Sequence, residues 1–188
     1  MSDKKQTDWE CIQTETGPDL KLFRVRFDWM RNPRNAHTVK ATVLESSDWV
    51  NVIALTPENE LVVVYQHRFG TGETTTELPA GIVESGETSK EAAIRELKEE
   101  TGYTSEEWEY LGYVEPNPAF LNNRCYHWVA RNVQQTMLPE LDDGEHVVVG
   151  VMSIKEIGQE IASGRFRHSL AFTALCNLFD LREILKGD

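Results

Sequence analysis

Cysteine is scarce in this chain of 188 residues, and long apolar runs are absent. The three cysteines, Cys11, Cys125 and Cys176, are far apart and odd in number, so they form neither a disulfide framework nor a metal-ligand spacing. No segment approaches the roughly 18 apolar residues of a membrane-spanning helix, and the N-terminal sequence MSDKKQTDWE lacks the apolar core of a secretion signal. We therefore expect a soluble cytoplasmic protein without a membrane partner.

Positive charge is also in short supply. The 19 Lys and Arg residues face 31 Asp and Glu residues, which gives a formal net charge of −12. This excess excludes bulk attraction to nucleic acid, so we expect no nucleic-acid partner. An anionic substrate would need a local metal ion to offset the negative field.

The chain length fits one domain with an extension.

The glutamates are concentrated in one segment, residues 81–103, which reads GIVESGETSKEAAIRELKEETGY and contains six of them. Thr88 followed three residues later by Glu91 is a capping-box pattern, and Gly102 is typical of a helix C-terminus. These signals predict a helix at 89–101. Its buried side is expected to consist of Ala93, Ile94 and Leu97.

Three carboxylates of this predicted helix share one face. Glu96, Glu99 and Glu100 are spaced i, i+3, i+4, and like charges at that spacing repel by roughly 0.2–0.5 kcal/mol per pair. A bound cation would relieve the repulsion, and oxygen-only ligands select a hard ion such as Mg²⁺ or Mn²⁺. The alternative is a solvated acidic helix face. Gly81 and Gly86 favour the metal site, because they allow tight turns that point backbone carbonyls toward the same ion.

The spacing of these residues resembles the Nudix box, G-x5-E-x7-R-E-U-x-E-E-x-G-U, in which U is a bulky apolar residue. Every fixed letter is matched, from Gly81 through Glu87 to the run RELKEETGY at 95–103, with Tyr103 where Ile, Leu or Val is commoner. The resemblance implies an α+β fold, the Nudix-type α/β/α sandwich with a mixed sheet. It covers 23 of the 188 residues, so the other segments are interpreted separately.

Short patterned segments come before the core. Strands are predicted near 9–14, 22–29 and 38–44, with a turn at 17–19, and residues 1–7 are expected to be disordered. They predict a small N-terminal antiparallel β segment, 1–45, ahead of a catalytic domain, 46–188. In the Nudix enzymes that this chain resembles, such a sheet often mediates dimerisation, so the resemblance implies a homodimer.

The core alternates strands with a few helices, a pattern that predicts mixed α and β layers. A loop is predicted at 69–75. The predicted strands are 49–55, 61–65, 108–114, 125–131 and 146–152. The predicted helices after the box are 153–163 and 168–185.

The resemblance also implies the roles of individual residues. It implies metal ligation by the Ala80 carbonyl, Glu96, Glu99 and Glu100, with Glu99 bound directly or through water. For Glu87 and Arg95 it implies a structural ion pair, with direct ligation by Glu87 as the alternative. A glutamate in a later loop is the general base in many relatives, and Glu145 matches it. Glu145 and Glu99 are thus the catalytic candidates, with Asp142 and Asp143 as other possible bases, and an ordinary acidic surface loop is the alternative.

Outside the box, the resemblance narrows to the ADP-ribose pyrophosphatases. Gln66-His67-Arg68 resembles their Gln-Tyr-Arg, whose arginine contacts substrate, and Glu77 opens a similar entry to the box. Glu77 has either a metal or substrate contact or a structural hydrogen-bonding role. Pro118 resembles a marker of the same subgroup, or is a simple loop proline.

Trp29 is a candidate for stacking on the nucleotide base, with a core or interface role as the alternative, and Arg31 and Arg34 beside it could reach phosphate or ribose. The expected function is Mg²⁺-dependent hydrolysis of ADP-ribose or a related nucleoside diphosphate sugar to a nucleoside monophosphate and a sugar phosphate. The alternatives are another Nudix substrate (GDP-mannose, a dinucleoside polyphosphate or a nucleoside triphosphate) and a non-catalytic nucleotide-binding module.

Overall fold

The computed structural model describes residues 8–141 and 143–185, and the chain forms two compact units. One unit contains the chain up to Ser47 together with Glu115–Arg124. The other contains Asp48–Val114 and the chain from Cys125 onward. The expected disorder of residues 1–7 lies outside the described residues, and the boundary at residue 45 stays a prediction.

The first unit is a three-stranded antiparallel sheet in the order β1-β2-β3. Its strands are β1 (Glu10–Asp19), β2 (Arg24–Arg31) and β3 (Thr38–Glu45). The turn predicted at 17–19 is wrong, because these residues form the end of β1, where the pairing with β2 is irregular. Gly17 serves close packing there, since a Cβ at this position would lie 3.0 Å from Phe27 and Val25.

The second unit is built on a seven-stranded mixed sheet. The central path is β12-β5-β4-β10-β9, with β6 paired to β5 and β7 paired to β4; β10 runs parallel to β4, and the other pairs are antiparallel. A separate two-stranded ribbon joins β8 and β11. The strands are β4 (Trp49–Leu55), β5 (Leu61–Arg68), β6 (Glu73–Glu77), β7 (Ala80–Ile82), β8 (Tyr103–Thr104), β9 (Glu107–Val114), β10 (Cys125–Arg131), β11 (Gln134–Gln135) and β12 (Val147–Met152).

Helices cover both faces of this sheet because β4 and β5 are apolar on both sides. Val52 and Val62 pack in one cluster with Leu97 of α1 (Ser89–Thr101). Ile53 packs in the opposite cluster with Leu175. The helices of that second face are α2 (Ile154–Ala162), α3 (Ser169–Leu178) and α4 (Leu181–Leu185). The result is an α/β/α sandwich.

Helix α1 begins and ends where the sequence predicts. Thr88 and Glu91 form the reciprocal capping box, and Gly102 adopts a left-handed conformation with φ of 72°. The predicted buried side is wrong at Ile94, which is 40% exposed, whereas Ala92 is fully buried. Ala92, Ala93 and Leu97 pack in one cluster with Val52 and Val62 of the sheet, and Ile94 lies on the outer side.

Two other segments differ from the sequence prediction. Strand β6 occupies part of the predicted loop 69–75, because its β-branched threonines pair with a β5 that extends to Arg68. The predicted helix 168–185 is divided in two: Phe179 is extended, and the Asp180 carboxylate accepts from the Arg182 backbone N–H at 3.0 Å to start the next helix. Among the described residues, no helix has the length and apolarity needed to cross a membrane.

Candidate active site

A cavity of about 890 Å³ lies in the second unit beside α1. Its walls come from the helix, from β5, from β7 with the loop that follows it, and from the loop before β12. Clefts for small-molecule ligands are typically ~300–1,000 Å³, so this space suits a nucleotide-sized molecule. Most of the polar residues around it are carboxylates: Glu84, Glu96, Glu99, Glu100, Glu140 and Glu145.

Glu100 is the most deeply placed of these carboxylates, at 3% exposure. Its pKa is raised to about 8: burial is the largest cause, the Ala80 backbone N–H opposes it, and the charges of Glu96 and Glu145 add to it. That N–H donates to Glu100 Oε2 at 2.9 Å. Burial also raises the pKa of Glu96, despite its contact with Arg95. A cation placed among these groups would restore their ionised form.

Gly81 brings the backbone of β7 against this cluster. A Cβ at Gly81 would lie 2.0 Å from the Glu96 carboxyl carbon, so no other residue fits without moving that side chain. The glycine of the box therefore allows a main-chain segment and a metal-ligand candidate to share the same wall.

Arg95 ties the helix to the preceding loop. Its Nε and Nη2 donate to Glu87 at 3.0 Å each, and Nη2 also donates to the Ile82 carbonyl at 2.8 Å. Nη1 donates to Glu96 at 2.7 Å and to Glu99 at 3.1 Å. The pKa of Glu87 is lowered by the hydrogen bonds from Arg95. The structure thus brings Glu87 and Arg95 together as an ion pair, with all three guanidinium nitrogens in use.

The donor set fits a hard divalent cation. Glu96, Glu99 and Glu100 offer only oxygen, and the Ala80 backbone is adjacent to Glu100. Within residues 8–141 and 143–185, no three acidic, histidine or cysteine side chains already converge on one point. The reason is visible at Arg95, which holds the carboxylates of Glu96 and Glu99.

The loop before β12 carries Glu145, the candidate base. Glu145 lines the cavity and is close enough to raise the pKa of both Glu96 and Glu100. Asp143 does not line the cavity, and Asp142 lies outside the described residues.

This loop is anchored to the C-terminal end of α1. The Glu140 N–H donates to the Glu99 carbonyl at 2.8 Å, and the Thr136 and Met137 N–H groups donate to the Gly102 carbonyl at 3.0 and 3.3 Å. Gly102 is needed for this contact as well as for the cap, because a Cβ there would lie 2.1 Å from the Met137 carbonyl oxygen.

On the strand side of the cavity, Arg68 makes a forked ion pair with Glu77. Arg68 Nε donates to Oε1 at 2.8 Å and Nη2 to Oε2 at 2.6 Å. Arg68 lines the cavity, whereas Glu77 is 1% exposed and lies behind it. Sequence reasoning missed Gln66 and Glu140 as lining residues; the position of Gln66 two residues before Arg68 on one strand was the available signal.

Trp29, Arg31 and Pro118 belong to the first unit. The Lys40 ammonium lies 4.8 Å from the Trp29 ring centroid, and Arg31 pairs with Glu10 at 2.7 Å. Pro118 is exposed in the segment between β9 and β10. The substrate-binding roles of these residues stay predictions.

The chain belongs to the NUDIX domain family, whose sequence profile matches residues 47–172. The methanol dehydrogenase activator of Bacillus methanolicus is 32% identical over 178 residues, covering 94% of this chain and 95% of that protein. The ADP-ribose pyrophosphatase of Mycobacterium tuberculosis is 28% identical over 170 residues, covering 89% and 82%.

A solved structure described as an ADP compounds hydrolase superimposes with a TM-score of 0.79 at 21% identity, covering 98% of this chain and 97% of that one. The predicted Nudix-type sandwich is therefore confirmed.

Proposed function

We propose that this protein hydrolyses the diphosphate bond of ADP-ribose or a related nucleoside diphosphate sugar and releases a nucleoside monophosphate and a sugar phosphate. The observation that carries the proposal is one cavity in which the carboxylates of the box and Glu145 face Arg68. The name of the Mycobacterium relative supports ADP-ribose among the possible diphosphates.

Mg²⁺ is the proposed cofactor, with Mn²⁺ as an alternative. The Ala80 carbonyl, Glu96, Glu99 and Glu100 would hold it, because they supply oxygen ligands only. Such an ion supplies the positive charge that the diphosphate oxygens require. If Glu96 and Glu99 exchanged their contacts with Arg95 for the ion, Arg95 would keep its contacts with Glu87 and the Ile82 carbonyl, which would still anchor the loop.

Glu145 is the proposed general base. It stands in the cavity with the other carboxylates, whereas Asp143 does not line it. Glu145 would accept a proton from the attacking water, and Glu99, the most exposed of the three box ligands, would assist. On the opposite wall, Arg68 would donate to a phosphate oxygen.

The first unit is proposed to supply base recognition through Trp29 and Arg31, with Pro118 in its loop, and to pair with a second copy of the chain. Apolar side chains on its strands and first turn support a homodimer, since Ile12, Leu22 and Val39 are each about half exposed. All three cysteines are free thiols, which supports a cytoplasmic location.

The direct test is a substrate panel with Mg²⁺: ADP-ribose, GDP-mannose, UDP-glucose, NADH and nucleoside triphosphates, with products identified by ³¹P NMR. We expect ADP-ribose to give AMP and ribose 5-phosphate, and chelation of the metal to stop the reaction. The absence of turnover on every compound would contradict the proposal and favour a nucleotide-binding module.

A second candidate is activation of a methanol dehydrogenase, because the relative of that name aligns with nearly the whole chain. The test is the rate of a methanol dehydrogenase with and without this protein. An unchanged rate would remove this candidate; an increase that Glu100→Gln abolishes would join it to the hydrolase.

A further inference from the structure

Two arginines line the cavity, and they differ in whether a guanidinium nitrogen is left without a hydrogen-bond partner. Arg95 uses all three nitrogens in contacts with Glu87, Glu96, Glu99 and the Ile82 carbonyl. Arg68 uses Nε and Nη2 on Glu77, and its Nη1 has no partner among the described residues. Arg68 is therefore the arginine of this cavity that can receive an anion without giving up an existing contact.

The geometry of the fork directs the remaining group. A guanidinium is planar, so a carboxylate bound at the Nε and Nη2 edge leaves Nη1 on the other side. The antiparallel register of β5 and β6 pairs Gln66 with Thr75 and Val64 with Glu77, which places Arg68 and Glu77 on the same face of the hairpin. Because Arg68 borders the cavity and Glu77 lies behind it, Nη1 is the end that remains for a ligand.

Glu77 is itself held in place from several sides. Thr75 Oγ1 donates to Glu77 Oε1 at 2.5 Å, and His168 Nδ1 lies 3.6 Å from Oε2. Burial opposes ionisation of Glu77, but the hydrogen bonds from Arg68 and Thr75 outweigh it and keep its pKa below the ordinary value. Both oxygens accept hydrogen bonds, and Glu77 does not itself line the cavity, whereas Arg68 does.

We propose that Glu77 is a positioning residue for substrate binding, which holds the Arg68 guanidinium so that Nη1 points at a diphosphate oxygen. The inference rests on the proposed function and names the part of the site that receives the anion. Arginine loses rotamer freedom when it binds a ligand, and a guanidinium already locked by Glu77 has lost it in advance. Because Glu77 offsets much of the charge of Arg68, this wall contributes a directed hydrogen bond, and the positive charge comes from the metal ion.

The chain contains a matched control for this pair. Glu160, 9% exposed, accepts from Arg165 Nε at 3.0 Å and Nη2 at 2.6 Å, and Thr76 Oγ1 donates to it at 2.9 Å. This arrangement resembles that of Glu77, Arg68 and Thr75, but its carboxylate is on α2, its threonine is the β6 neighbour of Thr75, and none of its residues lines the cavity. Glu160→Gln removes a comparable buried carboxylate without touching Arg68.

The test is a double-mutant cycle on Glu77→Gln and Arg68→Met in the full chain. The probe is α,β-methylene ADP-ribose with Mg²⁺, measured by calorimetry, so the readout does not depend on turnover. We expect Glu77→Gln to weaken probe binding by about tenfold or more in the wild-type background and less than about twofold beside Arg68→Met. Glu160→Gln should leave probe affinity unchanged, and Mn²⁺ affinity without nucleotide should be the same in all variants.

Three results would overturn the inference. Equal losses from Glu77→Gln in both backgrounds would mean that Glu77 acts independently of Arg68. A loss of Mn²⁺ affinity in Glu77→Gln would indicate that Glu77 is a metal ligand. A loss of probe affinity in Glu160→Gln equal to that in Glu77→Gln would indicate that removal of any buried carboxylate weakens binding by lowering the stability of the fold. If Glu77→Gln does not fold, Thr75→Val replaces it in the same cycle, with a smaller loss expected and the same criteria.

A different result would contradict the proposed function itself. A wild-type protein that neither binds the probe nor turns over any diphosphate contradicts the proposed function, and this inference with it. If the wild-type protein and Glu77→Gln bind the probe equally tightly, only the inference is contradicted.

Discussion

The helix wall and the strand wall of the cavity use arginine in opposite ways. On the helix wall, Arg95 is enclosed by carboxylates and joins α1 to the preceding loop. On the strand wall, Arg68 has one carboxylate behind it and keeps Nη1 for the cavity. The difference is one between structural support by Arg95 and proposed recognition by Arg68: we propose that the helix wall receives a cation and the strand wall an anion.

Glu100→Gln breaks the helix wall and is expected to have the largest effect. Loss of the most buried carboxylate removes a metal ligand, so turnover should fall at least as far as for a lost general base, about 10²–10⁴-fold, with weaker Mn²⁺ binding. Kinetics and Mn²⁺ titration measure both effects.

Glu91→Gln is the matched control for that variant. It is the same change on the same helix, and glutamine at that position preserves the capping box. Unchanged Mn²⁺ affinity in Glu100→Gln would contradict its assignment as a ligand.

Glu145→Gln tests the proposed general base, which lies on the loop anchored to α1 and belongs to neither the helix wall nor the strand wall. We expect the rate to fall by about 10²–10⁴-fold while Mn²⁺ affinity is retained, because only the proton acceptor is lost. The pH dependence of kcat and a Mn²⁺ titration measure these two effects. Asp143→Asn serves as the comparison on the same loop, and a rate change in Glu145→Gln below about threefold would remove Glu145 from the mechanism.

Lysine in place of each arginine sharpens the contrast between the walls. Arg68→Lys should raise KM by about tenfold, since lysine cannot make the fork with Glu77. Arg95→Lys should lower the free energy of unfolding by about 1–3 kcal/mol with little change in KM, because Glu87 and the Ile82 carbonyl lose their donors. Steady-state kinetics and urea unfolding measure both variants. An equal rise in KM in the two variants would contradict the distinction between the helix wall and the strand wall.

Trp29→Ala has the smallest expected effect, and it concerns recognition of the substrate's nucleotide base rather than of its phosphates. If Trp29 stacks on the base, KM for ADP-ribose should rise by about 2–10-fold while kcat is retained. Trp9→Ala removes another tryptophan of the first unit and should leave KM unchanged. An unchanged KM in Trp29→Ala would end the stacking hypothesis.

Much of the helix wall could be predicted from the sequence because its interactions are local. The bounds of α1 and its capping box follow from spacings within a single segment, and the contact of Arg95 with Glu87 is the one that the resemblance to the Nudix box implies. The exposure of Ile94 could not be predicted this way, since it depends on how closely α1 packs on the sheet.

The strand wall shows what only the tertiary structure decided. The sequence by itself determined the family motif, the bounds of α1 and the positions of most strands along the chain, because short-range periodicity and fixed spacing specify them. The contact of Arg68 with Glu77 depends on the register of β5 and β6, where the sequence predicts a loop at 69–75. The contact of Glu140 with α1 depends on a carbonyl left free at the helix end. Both join residues through main-chain pairing and packing, which side-chain periodicity within one segment does not encode.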